Sequence, residues 1–433
     1  MENKLEKVVS LCKRRGFVFA GSEIYGGLSG VWDYGPLGTR LKENIKREWW
    51  KHMLREDHIY PLDSAILMNE KVFASSGHLE HFSDPLVECK KCKRRFRQDD
   101  LVRSSVSDEE KPSFSKCPQC GGELTQGRQF NLMFSAGEAY LRPETAQGIF
   151  TNFKNILDVF HPTLPFGIAQ IGKAFRNEIA PENFLFRARE FEQLELEYFG
   201  HPEKQKQYFE DIKKMRIDWF LNLGIKKENI RFRDYQKEEL AHYSQATTDI
   251  EYKFGLNESG FSELEGIAMR GDYDLSAHAK SSGEELKVEG IIPHVIEPSL
   301  GLDRAFLAFL MDAYEEDELG NDKRTVLKLH PKLAPVKIAV FPLMANKENL
   351  VKKAKEVYEK LWTIDYGLST VSWDDIGNVG KRYRRQDEIG TPWCVTVDYQ
   401  TLEDNTVTIR DRDIGKQIRH PISELEKYFC DRI

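Results

Sequence analysis

The sequence predicts an α+β protein with an antiparallel strand pair at its centre, a cysteine-rich insertion and a C-terminal α/β region. Residues 166–178 and 191–200 read as two strands joined by a loop, and the second strand alternates apolar with polar side chains. Two CxxC pairs fall between residues 85 and 130. Beyond residue 335, strand-like and helix-like segments alternate, as is typical of an α/β domain.

The chain length sets the expected number of domains. A chain of 433 residues exceeds what one hydrophobic core usually supports, so we expect a large domain and at least one smaller one. We place the large, catalytic domain at residues 1–330, the cysteine-rich insertion within it at 85–130, and a separate domain at 335–433. The prolines at 331 and 335 suggest a linker between the two main domains.

Composition and charge exclude several classes of protein. No window approaches the ~18 consecutive apolar residues that a membrane helix needs, and the N-terminus lacks the apolar core of a signal peptide. We therefore expect a cytoplasmic protein without a membrane partner. The 63 Lys and Arg against 70 Asp and Glu give a net charge of −7, which argues against indiscriminate coating of nucleic acid.

Local periodicity predicts the remaining elements. Apolar residues recur every four positions from Leu41 to Met53, which indicates an amphipathic helix. The other expected elements are a strand at 58–62, a helix at 202–223, mixed strand at 261–278, a strand ending at Pro298, a helix from about Leu302, a strand at 336–343, a helix at 347–361 and a strand at 393–399.

Polar side chains on the two central strands predict a ligand-binding surface on the sheet. Glu195 and Glu197 share one face of the second strand, and Arg176 and Glu178, two residues apart, share a face of the first. Arginine matters here because a guanidinium group can hold a triphosphate and stabilise a pentavalent α-phosphate through paired hydrogen bonds. The candidates are Arg176, Arg187, Arg189 and Arg304, although each one alone also fits an ordinary surface arginine.

The cysteine spacing predicts a metal site. Cys89, Cys92, Cys117 and Cys120 form two CxxC pairs, the second within CPQCGG. Tetrahedral zinc binds four thiolates at this spacing within each pair, and all four ligand positions would be filled by protein. We therefore expect a structural zinc ion, with unmetallated thiols as the alternative. Disulfides are not favoured, since the chain is expected in the cytosol.

Several strings of the sequence resemble one enzyme family. AFRNE, FRAREFEQLE and GLDR resemble motifs 2 and 3 of class II aminoacyl-tRNA synthetases. RPETAQGIF, IEPSLGLDR, GKRYRRQDEIGTP and WDYGPLG resemble the glycyl-tRNA synthetase family of the α2 type, and the match spans essentially the whole chain. The resemblance implies a class II antiparallel sheet of six or seven strands flanked by helices, a zinc-ribbon-like insertion and a C-terminal anticodon-binding domain.

The resemblance also implies an activity and an ATP site. The reaction would join glycine to tRNA(Gly) through a glycyl-adenylate, releasing AMP and pyrophosphate. Arg176 would hold the α-phosphate, Glu178 would accept a hydrogen bond from the adenine amino group, and Phe191 would stack on adenine. Glu263, with Glu297 as a second candidate, would face the ATP-bound Mg²⁺. The implied ATP-binding set is Arg176, Asn177, Glu178, Phe186, Arg187, Arg189, Phe191, Glu263, Leu264, Gly301 and Arg304, of which Arg176, Glu178 and Arg304 would be catalytic.

Glycine has no side chain to recognise, so its enzyme must exclude every larger amino acid. A crowded pocket with several carboxylates around the ammonium group would achieve this. The family's glycine-binding positions correspond here to Arg97, Glu144, Phe191, Gln193, Glu195, Glu297 and Ser299. Because carboxylates that converge on one small cation repel one another, we expect at least one of them to have a raised pKa.

The expected partners are ATP, glycine, tRNA(Gly) and a second copy of the chain. The helix from Leu41 to Met53 and the following strand fall where the family has its dimer-forming motif 1. The basic run from Lys381 to Arg385, with Arg410 and Arg412, suits contacts to single-stranded RNA, although a charged hairpin would explain the last two equally well.

Two alternatives remain open at this point. One is a non-catalytic relative of the same architecture, such as a DNA polymerase processivity subunit, which would have no use for the nucleotide-binding set. The other is a related synthetase for threonine, proline, serine or histidine, which would not explain RPETAQG, FEQLE and EPSLG together.

Overall fold

The computed structural model describes residues 4–55, 58–98, 101, 116–241, 243–319, 322–363 and 371–433. Part of the predicted insertion at 85–130 therefore lies outside the described residues. The helices are α1 Lys4–Arg15, α2 Pro36–Met53, α3 Glu70–Ser75, α4 His78–His81, α5 Ala146–Phe160, α6 Gln205–Asn222, α7 Tyr273–Ser282, α8 Leu302–Ala313, α9 Glu348–Trp362, α10 Val379–Ile389, α11 Tyr399–Asp404 and α12 Leu425–Cys430.

The strands lie between these helices, singly or in runs. They are β1 Val18–Ala20, β2 Trp32–Tyr34, β3 Ile59–Leu62, β4 Leu67–Asn69, β5 Ser83–Glu88, β6 Arg95–Arg97, β7 Arg128–Asn131, β8 Phe134–Ala136, β9 Ala139–Leu141, β10 Phe166–Phe175, β11 Glu190–Gly200, β12 Ile230–Asp234, β13 Ala246–Tyr252, β14 Ser262–Gly271, β15 His294–Gly301, β16 Tyr314–Leu319, β17 Asp322–Leu327, β18 Ile338–Pro342, β19 Val371–Trp373, β20 Trp393–Val397, β21 Thr406–Asp411 and β22 Gln417–Pro421.

A seven-stranded sheet forms the centre of the larger part of the chain. Its order is β12-β13-β14-β15-β11-β10-β3, and every neighbouring pair is antiparallel except β10 with β3 at one edge. The predicted α+β fold with an antiparallel sheet of six or seven strands is therefore confirmed, with one parallel pair added. A separate five-stranded sheet, β19-β18-β20-β21-β22, lies in the C-terminal part.

The two faces of the seven-stranded sheet have different covers. Leu194 and Leu196 of β11 point into a large apolar core shared with α2, α6 and α8. On the opposite face, Phe199 joins a second core that includes residues of α5 and α7. Gln193, Glu195 and Glu197 belong to this second face because side chains alternate along a strand. Apolar packing therefore covers one end of this face, and the polar residues lie beside the covered part.

Three predicted boundaries are wrong. The strand β10 ends at Phe175, so Arg176 and Glu178 lie in the loop after it and do not share a strand face. The expected mixed strand at 261–278 is β14 followed by the helix α7. The strand β15 continues through Pro298 to Gly301. Proline fits there on the β11 side, because the pairing of β15 with β11 has a gap between Ile296 and Ser299.

The predicted linker is a packed connection. Leu329 and Leu333 are buried in the large core. Lys337, which is also fully buried, donates through Nζ to the carbonyls of Pro331 at 2.6 Å and Lys332 at 2.9 Å. Asn44 of α2 donates to the carbonyls of Leu333 and Ala334. The connection between the two main parts of the chain is therefore fixed by hydrogen bonds to its backbone.

Candidate active site

A cavity of about 540 Å³ opens on the polar face of the seven-stranded sheet. Residues from β6, β11, β13, β14, β15, the loop after β10 and the start of α8 line it. Fourteen of the site residues predicted from the sequence are among them: Arg97, Glu144, Arg176, Glu178, Phe186, Arg187, Phe191, Gln193, Glu195, Glu263, Glu297, Ser299, Gly301 and Arg304. The structure thus brings together residues that are up to about two hundred positions apart in the sequence.

Three predicted ATP-site residues have other surroundings. Leu264 is 1% exposed and belongs to the large apolar core, so its side chain does not line the cavity. Arg189 donates from Nε and Nη2 to the carbonyl of Glu178 at 3.2 and 3.1 Å, which holds the loop backbone. Asn177 is outside the lining as well, and its N–H donates to the carbonyl of Leu132.

Three carboxylates converge at the inner end of the cavity. Glu195 accepts hydrogen bonds at Oε1 from Gln193 Nε2 at 2.8 Å and Ser299 Oγ at 2.6 Å, and at Oε2 from Thr145 Oγ1. Glu297 lies on the adjacent strand β15, and Glu144 precedes α5. Because the carboxylates face a common space, they can surround a small cationic group.

A buried ionic network that the sequence analysis missed supports these carboxylates. Arg270, at 3% exposure, donates to Glu297 Oε2 at 2.8 Å and to both oxygens of Asp274 at 2.7 and 2.9 Å. Gln147 Nε2 donates to Glu144 Oε1 at 3.2 Å and to Asp274 Oδ1 at 3.1 Å. The feature of the sequence that could have indicated this network is the spacing of Arg270 and Asp274, which are four residues apart at the junction of β14 and α7.

The pKa values of the three carboxylates are shifted apart. Burial raises the pKa of Glu195, and the neighbouring charge of Glu144 adds to the shift. Burial likewise raises the pKa of Glu297 to about 8, although Arg270 opposes it. For Glu144, burial acts in the same direction, but the charges of His78, Arg270 and Arg176 outweigh it and lower its pKa. The expectation of at least one raised pKa is confirmed.

A fourth carboxyl group, that of Glu197, lies behind the three. It is fully buried, and neither of its oxygens has a hydrogen-bond partner among the described residues. Burial and the nearby Glu297 raise the pKa of Glu197 well above its usual range. Its neutral form avoids placing one more negative charge beside Glu195 and Glu297.

The other end of the cavity carries arginines and aromatic rings. The guanidinium group of Arg176 lies between the rings of Phe82 and Phe191, 5.3 and 5.2 Å from their centroids, and Nε donates to the carbonyl of Pro143. Arg304, at the first turn of α8, bonds Glu263 at 3.0 Å and lies 4.5 Å from the centre of the Phe186 ring. These contacts fix two cationic groups at the cavity wall, where they can bind phosphate oxygens.

Two further lining residues were not predicted. Tyr235 donates its hydroxyl proton to Asp249 Oδ2 at 2.9 Å, and both residues line the cavity. Burial and the charge of Glu263 raise the pKa of Asp249 to about 7. No short motif marks this pair, because Tyr235 follows β12, Asp249 lies on β13, and the two meet only in the folded sheet.

The four predicted cysteines form one cluster. Their sulfur atoms all lie within 4.8 Å of one another, and the N–H of Cys92 donates to Cys89 Sγ. Four thiol ligands at these distances fit a tetrahedral metal such as zinc. The adjacent sheet β6-β5-β7 carries Arg97, which bonds Asp84 at 2.9 Å at the cavity wall. The insertion therefore connects the cysteine cluster with the cavity.

Three of the six basic residues expected to contact RNA are buried. Arg410 is 4% exposed and bonds both oxygens of Asp387. Arg412 is 3% exposed and donates to the carbonyls of Leu329 and Gly390, while Arg382 is 1% exposed and donates to backbone carbonyls. The interpretation of these three arginines as RNA-binding groups is wrong, because their donors already stabilise the C-terminal fold.

Comparisons with known proteins agree with this architecture. Residues 134–314 match the family described as tRNA synthetase class II core domain (G, H, P, S and T), and residues 337–432 match the anticodon binding domain family. The glycine–tRNA ligase of Clostridium acetobutylicum is 51% identical over an alignment that covers 100% of this chain and 99% of that protein.

The chain belongs to the glycine–tRNA ligase family.

A second member, from Geobacillus kaustophilus, is 50% identical, and the alignment covers 99% of each protein. A third member, from Caldanaerobacter subterraneus, is 49% identical over 99% of this chain. The family has a class II core, which agrees with the antiparallel sheet and the cavity on its polar face. Within the described residues, no helix is both long and apolar enough to cross a membrane.

Proposed function

We propose that this chain activates glycine with ATP and transfers it to tRNA(Gly), releasing AMP and pyrophosphate. The observation that carries the proposal is the convergence of Glu144, Glu195 and Glu297 at one end of a cavity that has arginines at the other. Membership of the glycine–tRNA ligase family and the anticodon binding domain support the same activity.

In the activation step, the glycine carboxylate attacks the α-phosphate and pyrophosphate leaves. Arg176 holds the α-phosphate, Arg187 and Arg304 hold the outer phosphates, and Phe191 stacks on adenine, whose amino group donates to Glu178. Positioning and charge stabilisation suffice for this step, so the mechanism needs no covalent nucleophile. Glu263 would hold the Mg²⁺ that accompanies ATP, because Mg²⁺ prefers oxygen ligands.

The glycine pocket selects by charge and by size. Glu144, Glu195 and Glu297 surround the ammonium group, with Ser299 and Gln193 fixing Glu195 through the hydrogen bonds described above. A larger amino acid would need space that these side chains occupy. Arg97, from the insertion, binds near the substrate at the cavity wall.

The further assignments concern metal, assembly and location. The cysteine cluster binds a structural zinc ion, which is supported by its four thiol ligands. The chain forms a homodimer through the β3 edge of the sheet, which is supported by the exposed Phe160, whose ring lies 5.1 Å from that of Tyr60 in β3. The protein acts in the cytoplasm, where tRNA is charged.

Exchange of labelled pyrophosphate into ATP tests the activity directly. We expect exchange with glycine and none above background with alanine or serine. Equal exchange with alanine would contradict the glycine assignment, and no exchange with any amino acid would favour a non-catalytic binding protein.

Replacement of Arg176 tests the position of ATP. Arg176→Ala should abolish adenylate formation and leave affinity for tRNA(Gly) nearly unchanged, because the guanidinium group lies in the activation site between Phe82 and Phe191. Near-normal exchange in this variant would contradict the role given to Arg176.

A further inference from the structure

The hydrogen bonds behind the glycine pocket form one continuous path through Gln147. This residue lies in the first turn of α5 and is completely buried. Its Nε2 donates to Glu144 Oε1 and to Asp274 Oδ1, so both amide protons are used. Asp274 in turn accepts from Arg270, which donates to Glu297. One amide therefore connects two of the three carboxylates of the pocket.

Only one orientation of the Gln147 amide satisfies its hydrogen-bond partners. Ionised carboxylates only accept hydrogen bonds, so the Gln147 nitrogen must face Glu144 and Asp274. The Gln147 oxygen then faces His278 Nε2 at 2.9 Å, and this nitrogen must carry a proton. His278 is 7% exposed, and its ring stacks on Phe150. Burial lowers the pKa of His278, which agrees with a neutral imidazole that donates from Nε2.

We propose that His278 and Gln147 are positioning residues that hold Glu144 and the Arg270–Glu297 pair at the fixed separation required for glycine. If the amide turned over, its oxygen would face Glu144 and Asp274, and each of these carboxylates would lose one donor and face an acceptor instead. Carboxylates that can move apart would admit a side chain and bind the ammonium group less well. The inference rests on the proposed activity and concerns its selectivity.

The test compares His278→Phe with His278→Gln in glycine-dependent pyrophosphate exchange. Phenylalanine keeps the aromatic packing and removes the donor, whereas glutamine supplies a donor near Nε2. We expect His278→Phe to raise KM for glycine about tenfold or more, which corresponds to the loss of a hydrogen bond in a charged network. In His278→Phe, KM for ATP should stay the same and the preference for glycine over alanine should fall. His278→Gln should keep both KM for glycine and the preference for glycine close to those of the unmodified protein.

His294 provides a matched control, since it makes a similar bond to a glutamine outside the cavity, from Nδ1 to Gln205 Oε1 at 2.6 Å. His294→Phe should keep the KM for glycine of the unmodified protein. An equal rise in KM for glycine in His294→Phe and His278→Phe would overturn the proposal, as would His278→Gln behaving like His278→Phe.

Nitrogen NMR of the histidine rings gives a readout that does not depend on activity. The signal lost in His278→Gln should be that of a neutral ring protonated at Nε2, and a ring protonated only at Nδ1 would overturn the proposal. If the unmodified protein shows this signal but exchanges no pyrophosphate with glycine, the proposed activity fails while the hydrogen-bond geometry stands.

Discussion

Arg270 offers the sharpest test of the glycine pocket. The change Arg270→Met keeps an apolar side chain against Tyr243, whose ring centre lies 3.9 Å from the guanidinium carbon. It removes three charge-assisted hydrogen bonds and leaves Asp274 and Glu297 buried without their cation. Breaking a buried ion pair in this way costs about 3–5 kcal/mol. We therefore expect a lower thermal midpoint together with a specific loss of glycine affinity.

The loss of glycine affinity follows from the charge of Glu297. Arg270 opposes the burial that raises the pKa of Glu297 to about 8, so without Arg270 this pKa rises further and a smaller fraction of the carboxyl group is ionised at neutral pH. The pairing of Glu297 with the glycine ammonium group then weakens. Truncating one partner of a buried charge pair costs about 2–5 kcal/mol of binding free energy. A loss of about 3 kcal/mol corresponds to a rise in KM for glycine of about 100-fold.

Arg216 supplies the control for stability. It is also fully buried and bonds Glu265 at 2.6 Å, but this pair connects α6 with β14 and is outside the cavity lining. Arg216→Met should lower the thermal midpoint and leave KM for glycine unchanged. Thermal unfolding and pyrophosphate exchange on the two variants measure both quantities. Equal KM values for glycine in Arg270→Met and Arg216→Met would refute the reasoning.

Two further predictions concern pH and metal. The pKa of Glu297 is raised to about 8, and its ionised form binds the ammonium group, so KM for glycine should fall by at most about tenfold per pH unit as pH rises from about 6 to 8. In Glu297→Gln, KM for glycine should depend less on pH. The same pH profile of KM in this variant as in the unmodified protein would contradict the assignment. Elemental analysis of freshly purified, reduced protein should give about one zinc per chain, and Cys117→Ser should lower that value; substoichiometric zinc in the unmodified protein would count against the site.

Local patterns in the sequence predicted the antiparallel strand pair and most elements, and the family resemblance implied the full sheet. The helix beginning at Leu302 and the strand pair β10–β11 are encoded by periodicity, which neighbouring residues alone establish. The cysteine cluster follows from spacing within each CxxC pair, because two residues between the thiols suit one metal ion. The predicted arginines and carboxylates mostly line the cavity because they lie at strand ends or on a recognisable polar face.

Only the tertiary structure decided which polar groups are buried and which residues they pair with. His278 and Gln147 are 131 positions apart, and Arg270 meets Glu297 across two strands, so no local pattern records either contact. Arg410 is charged and lies in a basic segment, yet Asp387 neutralises it inside the C-terminal fold. Strand register and helix packing bring such groups together, and burial then makes their pairing obligatory, because an unpaired charge is costly away from water.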